Sequence, residues 1–219
     1  MDFSIVVLLV IITAATFWLF GLRRARQLKF IDNFVFHSSI KNKLVAKYPH
    51  LNEEQIALIF EGLRSYFRIC NSANRRMVAM PSQAVDMAWH EFIIFTKAYQ
   101  DFCNKALGRY LHHTPTEAMV TPTHAEIGIK RAWRLSCIRE QINPKSPERL
   151  PLLFAIDGLL NIENGYKYSL NCKNRLDNGS SGGGGYCAGD IGCSSGGGGG
   201  CGGGCSGDSG CGGGCGGGD

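Results

Sequence analysis

Between Phe3 and Leu22 the chain has no charged residue, and between Gly179 and Asp219 it has no Lys, Arg, Leu, Val, Phe or Trp. The two absences exclude different things. A helix face exposed to water carries polar groups, so the first stretch is not an ordinary surface segment. The second cannot bury enough apolar area to offset the entropy of ordering it, so no core is expected there. Glycine is scarce before that end, with six in residues 1–178 against 23 in the last 41, so the composition changes at one point and the folding domain ends near Asn178. Between Phe30 and Asn178 there is no run of alternating β-branched residues, which argues against a β-sandwich or barrel. There is also no phosphate-cradling glycine loop, no nucleophile elbow and no Cys-x-x-Cys pair in that region, which removes several enzyme classes.

The uncharged stretch is FSIVVLLVIITAATFWLFGL. At 1.5 Å per residue its twenty residues span about 30 Å as a helix, the thickness of a bilayer core. A cleaved signal peptide wants a positive leading region and a shorter apolar run, whereas only Asp2 precedes this one. A transmembrane anchor at 3–22 is the expectation. Trp18 and Phe20 suit the interfacial belt, and Arg23, Arg24, Arg26 and Lys29 form a basic juxtamembrane segment over 23–29. The positive-inside rule then places the remainder in the cytoplasm, with the lipid bilayer as its first partner. The formal net charge is +5, with 19 bases and 14 acids scattered between Phe30 and Asn178, so nucleic acid is not an expected partner.

Residues 30–178 leave about 150 positions for one all-α domain of about five helices. The first is expected from Asp32 to Ala46, stopped by Tyr48-Pro49. Asn52 with Gln55 reads as a capping box, followed by Ile56, Ile59, Phe60, Leu63 and Phe67 at helical spacing to about Cys70. Pro81-Ser82 opens the longest helix, to Leu107 and Gly108, with Val85, Trp89, Phe92, Thr96, Tyr99 and Cys103 as its core stripe. Thr123 and Glu126 form a second capping box for a helix to about Ile142, and residues 151–161 form a short apolar last helix.

Asp86 and His90, four residues apart, share one helix face, and the loop past Gly108 can fold back to bring in His112 or His113. A divalent transition metal held by His, His and carboxylate is sterically possible there; an ordinary polar network is the plainer account. Cys103 beside Tyr99 and Trp89 is explained by a buried face without catalysis. The tail, 179–219, reads as a disordered tether bearing six of the ten cysteines, whose pairs Cys201-x3-Cys205 and Cys211-x3-Cys215 have a spacing that zinc tolerates. Cys70, Cys103 and Cys137 fall in expected helices and read as reduced thiols.

The run MPSQAVDMAWHEFIIFTKAYQDFCNKALGRYLHHTPTEAM, residues 80–119, resembles the signature of bacterial glycine-rich domain-containing proteins. RAWRLSC from Arg131 and LPLLFAIDGLLNI from Leu150 are similar to the same family, and the V-D-x-x-W-H core is shared with plant glycine-rich domain proteins. The resemblance implies a helical domain joined to a Gly/Cys tail, often behind a membrane segment, and carries no catalytic assignment. It marks Asp86, Trp89, His90, Tyr99, Cys103, His112 and His113. Two functions lead on these grounds. One is a non-catalytic module binding a protein partner or an ion; the other is a metal-dependent enzyme centred on Asp86, His90, His112 and His113.

Overall fold

The computed structural model of the chain describes residues 3–113, 122–170, 186–187 and 191. Seven helices stand among them: α1 (Phe3–Asn33), α2 (Ser38–Lys47), α3 (Glu53–Ser72), α4 (Gln83–Ile94), α5 (Thr96–Leu107), α6 (Pro122–Arg139) and α7 (Leu152–Leu159). The all-α expectation holds, with differences at three places.

The first is α1. Nothing between Leu22 and Asp32 breaks a helix, so the apolar stretch and the basic segment form one 31-residue rod. It is long and apolar enough to cross a membrane, and the rest of the chain buries none of its apolar window. Its last turns dock on the domain: Ile31 is buried, Arg68 binds Asp32 at 2.6 Å, and Asn71 Nδ2 donates to Gln27 Oε1 at 3.0 Å. The helix expected from Asp32 therefore begins only at Ser38, after a turn over 34–37. His37 caps it, its Nδ1 accepting from the Ser39 backbone at 3.1 Å.

The second is the long helix, which is two. Phe95, at φ −78° and ψ 62°, interrupts it, and α5 leaves in a new direction. Thr96, expected on the core stripe, is exposed at the start of α5, while Val85, Trp89, Phe92, Tyr99 and Cys103 are buried.

The third is at the C-terminal end, where no strand was expected. Tyr168–Ser169 (β1) pairs in parallel with Tyr186–Cys187 (β2). Apart from residues 186–187 and 191, the disorder expected of 179–219 concerns positions outside the described residues, as do Cys201, Cys205, Cys211 and Cys215. The Thr123 side chain is also outside them, but α6 starts at Pro122, two residues before the position a Thr123 cap implies, so Thr123 lies within the helix rather than capping it, and proline is favoured at that first position.

The central element is α3, which contacts all six other helices. Its start is as expected, with Asn52 and Gln55 exchanging both capping bonds at 2.8 and 2.9 Å. Around it Phe30, Phe34, Phe36, Phe67, Phe92 and Phe102 form one aromatic cluster, which joins the foot of α1 to α4 and α5.

Candidate metal centre

Two devices position the centre. One fixes the start of α4. Ser82 Oγ accepts from the Val85 backbone at 3.1 Å and donates to Asp157 Oδ1 at 2.7 Å. Asp157, buried on α7, also accepts from the backbone N–H groups of Gln83 at 2.7 Å, Ala84 at 3.2 Å and Tyr166 at 2.9 Å. Helix N-termini leave unpaired N–H groups and carry partial positive charge, so a carboxylate there satisfies both at once. The rotation of α4 is thereby set, and with it the face on which Asp86 and His90 lie. Sequence reasoning passed over Asp157. A lone carboxylate in the apolar run LPLLFAIDGLLN was the available signal, because a buried charge needs partners.

The other device places the loop after α5. In a continuous helix Trp89 and Tyr99 would stand about 15 Å apart along the axis. The bend at Phe95 brings them together, so that Trp89 Nε1 donates to Tyr99 Oη at 3.1 Å and Tyr99 Oη donates to the Leu111 carbonyl at 2.5 Å. Burial pushes the Tyr99 hydroxyl up, so it remains a donor. Two residues of the 80–119 signature, Trp89 and Tyr99, thus hold one backbone position, two residues before His113.

His113 Nε2 lies 3.1 Å from Asp86 Oδ1, and His90 Nδ1 lies 3.6 Å from Asp86 Oδ2. One ligand atom from each of the three falls within 4.8 Å of the others. The His90 and His113 rings are 4.2 Å apart, and the Trp89 ring backs His113 at 4.6 Å. A tetrahedral ion with bonds near 2.05 Å sets its ligand atoms about 3.3 Å apart, so the edge from His113 to Asp86 Oδ1 is already at a metal's spacing, while His90 stands closest to the other carboxylate oxygen. His112 does not join them. Successive side chains outside a helix diverge, and its ring lies against Tyr110 at 4.8 Å. Of the four residues singled out in the sequence, three converge, and His112 lines another part of the same hollow. That hollow, about 490 Å³, also has Met77, Met80, Arg75 and Arg109 on its walls.

Among the described residues, the thiols offer no nucleophile beside it. Burial pushes Cys103 up, and Cys70 and Cys137 to about 12. Against an ordinary value near 8.5, a value of about 12 lowers the thiolate fraction at pH 8 roughly a thousandfold. In the native full chain at pH 8, Cys70, Cys103 and Cys137 are expected to resist iodoacetamide and to react on denaturation, as peptide mapping by mass spectrometry would read. Labelling of Cys103 at the rate of an exposed thiol would contradict this. The folded thiols keep protons that the unfolded chain gives up above about pH 8.5. Their contribution is therefore full below that pH and is lost as pH rises toward 12.

Among curated proteins and among solved structures, nothing matches the chain. A family model described as UCP032817-like matches residues 26–191, from the basic end of α1 through every residue of the centre just described. With well over half of its length matched, the chain belongs to the UCP032817-like family.

Proposed function

We propose that the protein is a single-pass protein of the bacterial cell membrane whose cytoplasmic helical domain binds a divalent transition metal at Asp86, His90 and His113. The convergence of one carboxylate and two imidazoles carries this reading. Two His and one carboxylate suit zinc or ferrous iron, and three protein ligands leave coordination positions for a bound group. The uncharged stretch of α1 and the four bases after it support the anchor and its orientation. The likeness of residues 80–119 to glycine-rich domain-containing proteins agrees with an anchor, a helical domain and a tail in that order.

On this reading the domain is a binding module rather than a catalyst. The glycine-rich end is proposed to present its thiols to a protein partner or to metal at Cys201, Cys205, Cys211 and Cys215. The hollow beside the three ligands favours a second reading, a metal-dependent enzyme whose substrate enters there. Turnover that is lost with His90→Ala would select the second over the first.

The metal itself is tested on the full chain in detergent with its six tail cysteines changed to serine, so that only the domain can bind. Titration of the metal-free protein with Zn²⁺ is expected to show one site. Asp86→Ala and His113→Ala each should weaken it by at least about a hundredfold, since even outer-shell changes cost 10–100-fold. His112→Ala should leave it unchanged. Absence of binding, or an equal loss with His112→Ala, sinks the assignment.

A further inference from the structure

Where α1 meets the domain, a hollow of about 180 Å³ is lined by Arg23 and Arg24 of α1, Arg75 from the turn after α3 and Arg109 from the turn after α5. No acidic side chain among the described residues lines it. Among the described residues, none of the four guanidiniums forms an ion pair with a carboxylate. The C-termini of α3 and α5 end beside it, at Ala73 and Gly108. Each helix end supplies about half a negative charge, so about three of the four positive charges are left without a counter-charge.

These cations come from three separate parts of the chain, and the backbone is arranged to gather them. Asn74 and Arg75 adopt left-handed conformations at φ 47° and 71°, unusual for consecutive non-glycine residues and kept only where the surroundings enforce them. Asn71 Nδ2 ties the three walls, donating to Gln27 Oε1 at 3.0 Å and to the Ala106 carbonyl at 2.9 Å. Gly108, at φ 67°, leaves room for Arg23, whose Nη2 would stand 2.7 Å from a Cβ at that position. Like charges collected without partners repel, and a preformed cluster of guanidinium forks suits an anion with phosphate geometry.

A second hollow adjoins the first, sharing Arg23 and Gln27. It is about 360 Å³ and is lined by Leu19, Leu22 and Phe30, with Arg26 and Lys105 at its rim. Leu19 and Leu22 lie at the end of the stretch that reads as the membrane span. An anion pocket beside an apolar hollow at that level matches a molecule with a phosphate head and a hydrocarbon body. We propose that the two hollows together form a site for one anionic phospholipid, with its phosphodiester among Arg23, Arg24, Arg75 and Arg109 and its glycerol and upper acyl chain against Leu19, Leu22 and Phe30. This rests on the membrane reading of α1. Arg75 and Arg109 also wall the hollow beside the metal ligands, so the headgroup lies one side-chain layer from it.

The full chain in neutral detergent, titrated with phosphatidylglycerol and followed by native mass spectrometry, tests the site. One phosphatidylglycerol should bind more tightly than phosphatidylcholine. Arg75→Gln/Arg109→Gln should weaken it about 25-fold, on the basis of roughly fivefold per arginine. Lys43→Gln/Lys47→Gln removes the same charge from exposed positions of α2 and should leave affinity within about twofold. Equal loss in the two pairs means diffuse attraction and overturns the proposal. Inorganic phosphate binding as tightly as phosphatidylglycerol overturns the lipid assignment. If the arginine pair fails to fold, Arg109→Lys retains the charge without the fork, and undiminished binding there counts against the site. Alkaline carbonate extraction of wild-type membranes tests the anchor separately, because a carbonate-soluble wild type removes the membrane reading whatever the titration gives.

Discussion

Replacing Asp157 by alanine is expected to lower the unfolding free energy by about 3–5 kcal/mol, a large share of the 5–15 kcal/mol that holds an ordinary domain. The carboxylate accepts from the Ser82 hydroxyl and from three backbone N–H groups, and it is buried. Alanine leaves those four donors facing a small dry space. Unsatisfied buried donors cost roughly 1–3 kcal/mol each, and a water admitted to the gap would recover part of that. Asp157→Asn is the informative companion. It keeps one acceptor oxygen but turns an amide N–H toward donors, so it should lose about 2 kcal/mol. Denaturant unfolding of the full chain in detergent, followed by far-ultraviolet circular dichroism, gives both values. Because Asp86 sits in the first turn of α4, the alanine variant should also weaken Zn²⁺ binding. A loss in Asp157→Ala below about 1 kcal/mol would mean that the start of α4 is held by something else.

What could be read from the sequence was local. Asn52 and Gln55 stand three apart, and that spacing alone dictates their reciprocal bonds. Ile56, Ile59, Leu63 and Phe67 recur on one face and are buried, while Phe60 is only half-buried at its edge. The pair Asp86 and His90 was equally local. The bend at Phe95 was not, because no glycine or proline marks it. It is a tertiary event, accompanied by the Trp89–Tyr99 hydrogen bond and by the His37 ring packed 5.0 Å from Phe95. For the same reason the choice of His113 over His112 was out of reach. It depends on where Leu111 is held, and Leu111 is held by residues from two helices whose relative direction the sequence does not state. The end of α1 at Asn33 was missed because helix-forming residues continue past the apolar stretch, and the helix stops only at Asn33, whose Nδ2 donates to the Lys29 carbonyl at 2.8 Å.

Gly62→Leu should destabilise the domain by about 3 kcal/mol or more and should disturb the proposed metal ligands without touching them. Glycine in the middle of a helix ordinarily costs about 1 kcal/mol relative to alanine, so its presence in α3 needs a compensating contact. The structure supplies one. A Cβ at Gly62 would lie 2.7 Å from Val85 Cγ2 and 3.1 Å from Ile156 Cδ1, at the place where α3, α4 and α7 meet. Both neighbours are buried, and a β-branched valine in a helix has little freedom to turn away. For Gly62→Ala the gain in helix propensity offsets part of the overpacking, leaving a net loss of about 1 kcal/mol. Leucine has no such compromise, and α4 must move. Val85 immediately precedes Asp86, so displacement of α4 shifts the carboxylate relative to His113, which is held independently through Leu111. Zn²⁺ affinity should therefore fall in Gly62→Leu even at temperatures where circular dichroism reports full helicity. Val85→Ala removes the nearest obstructing methyl, so Gly62→Ala combined with Val85→Ala should be more stable than the sum of the single losses implies. Strict additivity in that double-mutant cycle would show that the two side chains do not meet.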